Sequence, residues 1–226
     1  MKITYYGHAC FALEISGKTL LFDPFITPNP LASNIKIDSL PADFILVSHG
    51  HGDHLADAAA IAKRTGATVV ASFEVAQWLG KQGAPKTHPV NHGGGPALDF
   101  CKVKFVNAIH SSSLPDGSYG GNPGGFVITS AEGNLYYSGD TALTRDMELI
   151  GEEFRLTAAV LCIGGNFTMD VADAIRCAAM VKCDNVVGVH YDTFPPIKID
   201  HAEAVEKFKA AGRRLHLLPI GASHQF

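Results

Sequence analysis

Residues Phe44 to His54 read FILVSHGHGDH. An apolar run gives way to six residues that hold three histidines and an aspartate. A short apolar run bounded by polar residues reads as a buried strand. Four ionisable, metal-ligating side chains crowded at its end would repel one another or lose hydration unless a cation held them. In extended backbone His49 and His51 point the same way, being two residues apart. Gly50 and Gly52 permit a sharp path between them. Asp53 and His54 then open a helix that faces the same cleft, so one segment can serve two metal ions.

The same grammar recurs three times further on. KFVNAI runs out at His110, LYYSG at Asp140 and NVVGV at His190. Ligand sites in α/β folds gather where strands end and loops begin. A single histidine at a strand end is more often structural than a ligand. The cluster at residues 49–54 is a different case, and it carries the other three positions with it. His49, His51 and His110 would serve one ion. Asp53, His54 and His190 would serve a second, with Asp140 bridging the two.

Around these points the chain alternates strands and helices. The first fifteen residues read as one strand, followed by a turn at Ser16-Gly17-Lys18 and a second strand, TLLFD. A Pro- and Asn-rich loop from Pro24 to Pro41 precedes FILVS. Loops of that length usually carry function, so it is expected to cover the pocket edge or to make a subunit contact in a homo-oligomer. Helices are expected from about Leu55 to Arg64, Glu74 to Lys81, Arg145 to Phe154, Asp170 to Val181 and His201 to Ala211. Strands are expected at TVVAS, CKVKFVNAIH, GGFVITS, NLYYSGD, AAVLCIG, NVVGVHY and RLHLLPI. Early strands lie too close together for crossover helices, which excludes one doubly wound parallel sheet. Two sheets packed together with helices outside, in one domain over residues 1–226, is the expected α/β architecture. The Gly-rich PDGSYGGNPGG reads as a turning loop at the cleft mouth, and no strand-to-helix transition makes it a phosphate cradle.

Composition narrows the function classes. A net charge of −4 argues against nucleic acid as the main partner, because neutralising phosphates needs a basic surface. No apolar stretch is long enough to span a bilayer, and the N-terminal residues lack the pattern of a signal peptide. Cys10, Cys101, Cys162, Cys177 and Cys183 are odd in number and show no CxxC spacing. They read as reduced core thiols in a cytoplasmic protein. His88, His92, His201, His216 and His224 have no partner pattern and read as surface or loop residues.

YYGHACF, LLFDPF, SHGHGDH, AIHSSS, YYSGDT and VGVHYDTFP in this order resemble the metallo-β-lactamase superfamily of metal-dependent hydrolases, in particular the small branch related to the ascorbate-phosphate lactonases. The resemblance covers essentially the whole chain. It implies an αββα four-layer sandwich, two mixed β-sheets with helices on the outer faces, and a dinuclear site at one sheet edge. It makes Asp23 a supporting residue beneath the histidine loop, alongside the plain alternative of a carboxylate closing a turn with Pro24. His8 matches the histidine that faces the metal pocket in the family, where the alternative is a buried strand histidine. Departures matter too. Gly164-Gly165-Asn166 lacks the acidic residue often present there in this branch. Asp140 stands where secreted β-lactamases carry a cysteine, and His51 where diiron flavoproteins carry a glutamate. The large added domains of the superfamily's nucleases are missing.

The expected chemistry is hydrolysis by a hydroxide bridging two divalent ions about 3.5–4 Å apart. Asp53, Asp140 and His8 are the candidate catalytic residues. Zinc is the first choice of metal and manganese the second, with iron or nickel also compatible with imidazole and carboxylate ligands. Two dications, two carboxylates and one hydroxide leave a site of roughly +1, which favours a small anionic ester, lactone or phosphodiester. Asn166, Thr168 and Thr193 are candidates for binding it. The alternatives are a non-catalytic metal-dependent sensor or binding protein and a phosphodiesterase or nuclease of the same superfamily.

Overall fold

Two β-sheets lie face to face in the computed structural model, which describes residues 1–226. The first fifteen residues form two strands where one was expected: β1 (Lys2–Gly7) and β2 (Cys10–Ile15). Gly7 and His8 both have left-handed φ values, 104° and 54°, and they turn the chain back on itself. β3 (Lys18–Phe22), β4 (Phe44–Val47), β5 (Thr68–Ser72), β6 (Lys86–Val90) and β13 (Ser223–Gln225) complete the first sheet, in the order β13-β1-β2-β3-β4-β5-β6. The second sheet runs β12-β11-β10-β9-β8-β7. Its strands are β7 (Lys102–Asn107), β8 (Gly124–Ser130), β9 (Gly133–Tyr137), β10 (Ala158–Cys162), β11 (Asn185–Val189) and β12 (Arg214–His216).

Three apolar clusters make three interfaces, hence four layers. The one between the sheets includes Phe11, Phe22, Phe105, Phe126 and Tyr137. A second joins the first sheet to α1 (Gly52–Leu55), α2 (Ala58–Thr65) and α3 (Phe73–Lys81). The third joins the second sheet to α4 (Asp146–Glu153), α5 (Val171–Met180) and α6 (His201–Ala210). This is the αββα sandwich. All five cysteines are free and buried. No helix is long and apolar enough to cross a membrane.

The helix expected from Leu55 is split: α1 ends at Leu55 and α2 begins at Ala58. The break falls at Asp57, whose N–H bonds to the Pro24 carbonyl (3.0 Å) in place of the preceding turn, while its carboxylate accepts from the N–H groups of Ile26 (2.7 Å) and Thr27 (2.8 Å). Gly66 closes α2 in the left-handed conformation at φ 74°. Asp170 and Asp200 cap α5 and α6 through the N–H groups of Asp173 and Glu203.

Strand direction positions the site. Each sheet begins with antiparallel pairs and continues with parallel ones. β1, β3 and β4 therefore point the same way in the first sheet, and β7, β9 and β11 do so in the second. Just beyond those carboxyl ends come His8, Asp23, His49, His110, Asp140 and His190. The strand expected to run up to His110 stops at Asn107, and that before Asp140 stops at Tyr137. Short bends carry both residues the remaining distance. The left-handed Gly139 (φ 58°) is required there, since a Cβ would strike the Gly124 carbonyl.

Candidate metal centre

The residues at these strand ends form one cluster at the rim between the sheets. His49, His51 and His110 bring ring nitrogens within 4.8 Å of one another, and so do the ligand atoms of His8, Asp53, His54 and His190. Asp140 lies between the two groups. Its Oδ2 is 2.9 Å from His190 Nε2, 3.3 Å from His54 Nε2 and 3.7 Å from His110 Nε2. His190 Nε2 and His54 Nε2 each lie 3.8 Å from Asp53 Oδ2.

Beneath the histidine segment is the Asp23 carboxylate, fully buried. Oδ1 accepts from the Ser48 N–H at 2.7 Å. Oδ2 accepts from the Ser48 hydroxyl (2.6 Å), the Tyr137 hydroxyl (2.6 Å) and His54 Nδ1 (2.7 Å). That fixes two tautomers. His54 must carry a proton on Nδ1, and its Nε2 faces Asp140. Ser48 Oγ gives its proton to Asp23, so at 2.9 Å it accepts from His49 Nδ1, and His49 Nε2 is left as an acceptor. That nitrogen sits 2.9 Å from His51 Nδ1, the bite of two donors sharing one ion. Asp23 thus orients two histidines, and its oxygens are already spoken for.

Among buried polar atoms, His54 Nε2 and Asp140 Oδ1 lack any hydrogen-bond partner. Orphaned buried polar atoms are costly, and both belong to the cluster, with His54 Nε2 3.3 Å from the other oxygen of Asp140. A divalent cation would satisfy both, so imidazoles and carboxylates arranged this way suit such an ion. Electrostatics agree. Burial pushes His49, His51 and His110 below the ordinary imidazole range, which keeps their lone pairs available. Burial opposes charge on Asp140 and Asp53 too. His190 and His54 outweigh it at Asp140, and His54 and His8 at Asp53, so both carboxyls are held well below their usual range.

His8 lies in this cluster. Its Nε2 is 3.0 Å from Asp53 Oδ2, and its Nδ1 is 3.0 Å from Thr193 Oγ1. Burial lowers its pKa to about 4, so it is neutral, with the Nε2 proton donated to Asp53. Its backbone carbonyl accepts from the His190 N–H at 2.8 Å, a main-chain bond between the two sheets. His8, Asp23 and His190 all have left-handed φ, at 54°, 40° and 57°. Strain of this kind gathers at functional sites.

The candidate substrate residues fare differently. Thr193 is nearly buried and bonded to His8, so it supports that ring. Asn166 is exposed and Thr168 gives its hydroxyl to the Met169 carbonyl; neither bonds to the cluster. Their turn is tied to the site only through the backbone, by Met169 N–H to Thr141 O at 2.9 Å. Sequence reasoning passed over Ser48, Asp57, Ser112 and Tyr137. Ser112 accepts the Gly50 N–H at 3.0 Å and donates to Gly120 O, fastening the Gly-rich loop to the histidine segment. Phe25, from the Pro24–Pro41 loop, sets its ring 5.4 Å from that of His8, so this loop reaches the cluster. His88, His92, His201, His216 and His224 lie outside it.

The family described as "Beta-lactamase superfamily domain" matches residues 2–190. A "UPF0173 metal-dependent hydrolase" from Methylacidiphilum infernorum is 54% identical over 99% of both chains. A protein of the same name from Flavobacterium johnsoniae is likewise 54% identical over 99% of each. Among solved structures, Igni18, a metallo hydrolase from Ignicoccus hospitalis, is similar with a TM-score of 0.88 and 32% identity, covering 100% of this chain and 98% of that one. The chain belongs to the metal-dependent hydrolases of the β-lactamase superfamily.

Proposed function

We propose that this protein hydrolyses a small anionic ester, lactone or phosphodiester at a dinuclear centre. His49, His51 and His110 would hold one ion, Asp53, His54 and His190 the other, and Asp140 lies within reach of both groups. One observation carries this reading: a single oxygen, Asp140 Oδ2, lies 2.9–3.7 Å from ligand nitrogens of both groups. Zinc is the first choice and manganese the second. Two divalent ions bound there would supply a nucleophile at neutral pH and an electrophile for the scissile group. Asp23 presents the Nε2 atoms of His54 and His49. His8 holds Asp53 in place through its Nε2 proton, and the partly exposed Asp53 side chain is the carboxylate that faces an incoming substrate. Five buried free thiols are in keeping with a reducing, cytoplasmic setting.

The test is metal analysis of protein purified without chelator, with a panel of small lactones, phosphodiesters and carboxylic esters run against structured RNA at low and moderate salt. The expected result is up to two ions per chain and metal-dependent turnover of a small anionic substrate. Asp140→Ala should lower turnover on the order of 100-fold or more while the fold persists. Efficient, salt-sensitive RNA cleavage with inert small substrates would move the protein to the nuclease reading. Bound metal without turnover on any substrate would favour a sensor.

A further inference from the structure

Next to the cluster is a cleft of about 710 Å³ between α2, α3 and the start of the Pro24–Pro41 loop. Its size is that of an organic-ligand pocket. Phe25, Leu55, Ala59, Trp78 and Leu79 form an apolar lining, and Lys63 is its one charged residue. Two lining residues place it beside the His/Asp cluster. Gly52 sits between His51 and Asp53, and nothing lies within 4 Å of where a Cβ on it would project. Phe25 contacts His8 at a ring separation of 5.4 Å. The walls are fixed in advance. Trp78 Nε1 donates to Asp116 Oδ2 at 2.8 Å, and Asp57 holds the N–H groups of Ile26 and Thr27, which follow Phe25.

We infer that this cleft receives an apolar arm of the substrate, an acyl or alkyl chain, while the scissile head lies at the His/Asp cluster. The inference rests on the hydrolase reading above and adds a second requirement to it: the substrate is amphipathic. Adjacency to the cluster at Gly52 and Phe25 favours this occupant over a second copy of the chain. Small residues on α2, such as Ala59 and Ala60, leave room for a chain against the helix.

The chain supplies its own reporter, because Trp78 is its only tryptophan. Octanoate titrated into zinc-loaded and chelator-treated protein should give a saturable blue shift of Trp78 emission. With zinc-loaded protein, kcat/KM for para-nitrophenyl acetate, butyrate and octanoate should rise with chain length, by up to about fourfold per methylene. Ala59→Leu and the exposed Ala60→Phe should both reduce the octanoate-to-acetate ratio and weaken the titration. Silent Trp78 emission with a flat chain-length series would overturn the inference and leave hydrolysis standing. Emission that tracks protein concentration and ignores octanoate would assign the cleft to a second copy and also overturn it. A saturable Trp78 response with no ester hydrolysed would support the cleft assignment and count against the carboxylic-ester form of the hydrolase reading alone.

Discussion

Asp23→Asn tests whether one buried carboxylate sets the orientation of the metal-facing histidines. The substitution keeps the shape and removes the charge. Asp23 accepts from four donors, three of them at Oδ2. The new amide would put its oxygen at that position to face Ser48 Oγ, Tyr137 and His54. Its NH2 would then meet the Ser48 N–H, donor against donor. An orphaned buried N–H costs about 1–3 kcal/mol. The other three bonds lose their charge assistance, roughly half their strength, which the easier desolvation of a neutral amide partly offsets. We expect a net loss of about 2–4 kcal/mol, read by urea unfolding of chelator-treated protein. A neutral partner also makes the His54 and His49 nitrogens poorer donors, so zinc affinity should fall about 10–100-fold in a competitive chelator titration. A variant within about 0.5 kcal/mol of the parent, with unchanged zinc affinity, would refute the orienting role.

His8 predicts a pH effect. Its pKa is lowered by burial to about 4, while the unfolded chain protonates near 6.5. Because the folded value is depressed, the stability it contributes is complete above about pH 6.5 and is lost as pH falls toward 4, by about 3 kcal/mol. At His54 burial opposes the charge, but Asp140, Asp23 and Asp53 outweigh it and raise the pKa, an effect of opposite sign. The measurement is therefore the difference between wild type and His8→Asn, both chelator-treated, from pH 7 to 4; a constant difference would contradict the assignment. In the core, Phe11 stacks on Phe22 at 4.4 Å and meets the edge of Tyr137. Phe11→Ala should cost about 3–5 kcal/mol in urea unfolding, and a loss below 1 kcal/mol would show that the inter-sheet interface can collapse around the gap.

The metal cluster was legible because its signal is local. Apolar runs mark buried strands, and ligand types at their ends mark the rim, whichever sheet each strand joins. What was hidden depends on contacts distant in sequence. Alternation continues through Tyr6-Gly7-His8-Ala9, so the hairpin left only Gly7 as a sign. Asp57 looks like one more helical residue until its partners at Ile26 and Thr27 are seen. β6, with its polar KTHPV sequence and a proline, is a strand only because an edge position tolerates both. Three-residue β13 exists through its pairing with β1, and RLHLLPI gives only Arg214–His216 to the sheet, paired with β11. Thr193 reads from sequence as a substrate-binding candidate, but its bond to His8 spans 185 positions and has no sequence signature.

His8, Asp23 and His190 occupy left-handed backbone, where glycine would sit without strain. Each costs on the order of 1–3 kcal/mol in that conformation. A chain selected for rigidity alone would relax these bends, and His8 and His190 are the simplest to relax because their backbone bond to each other survives loss of the side chains. Glycine at either place would erase chemistry while easing the fold. The rim of this sandwich is therefore a place where durability and reactivity compete for the same residues, and a stabilised scaffold obtained by directed selection without an activity screen would be expected to lose its histidines there first.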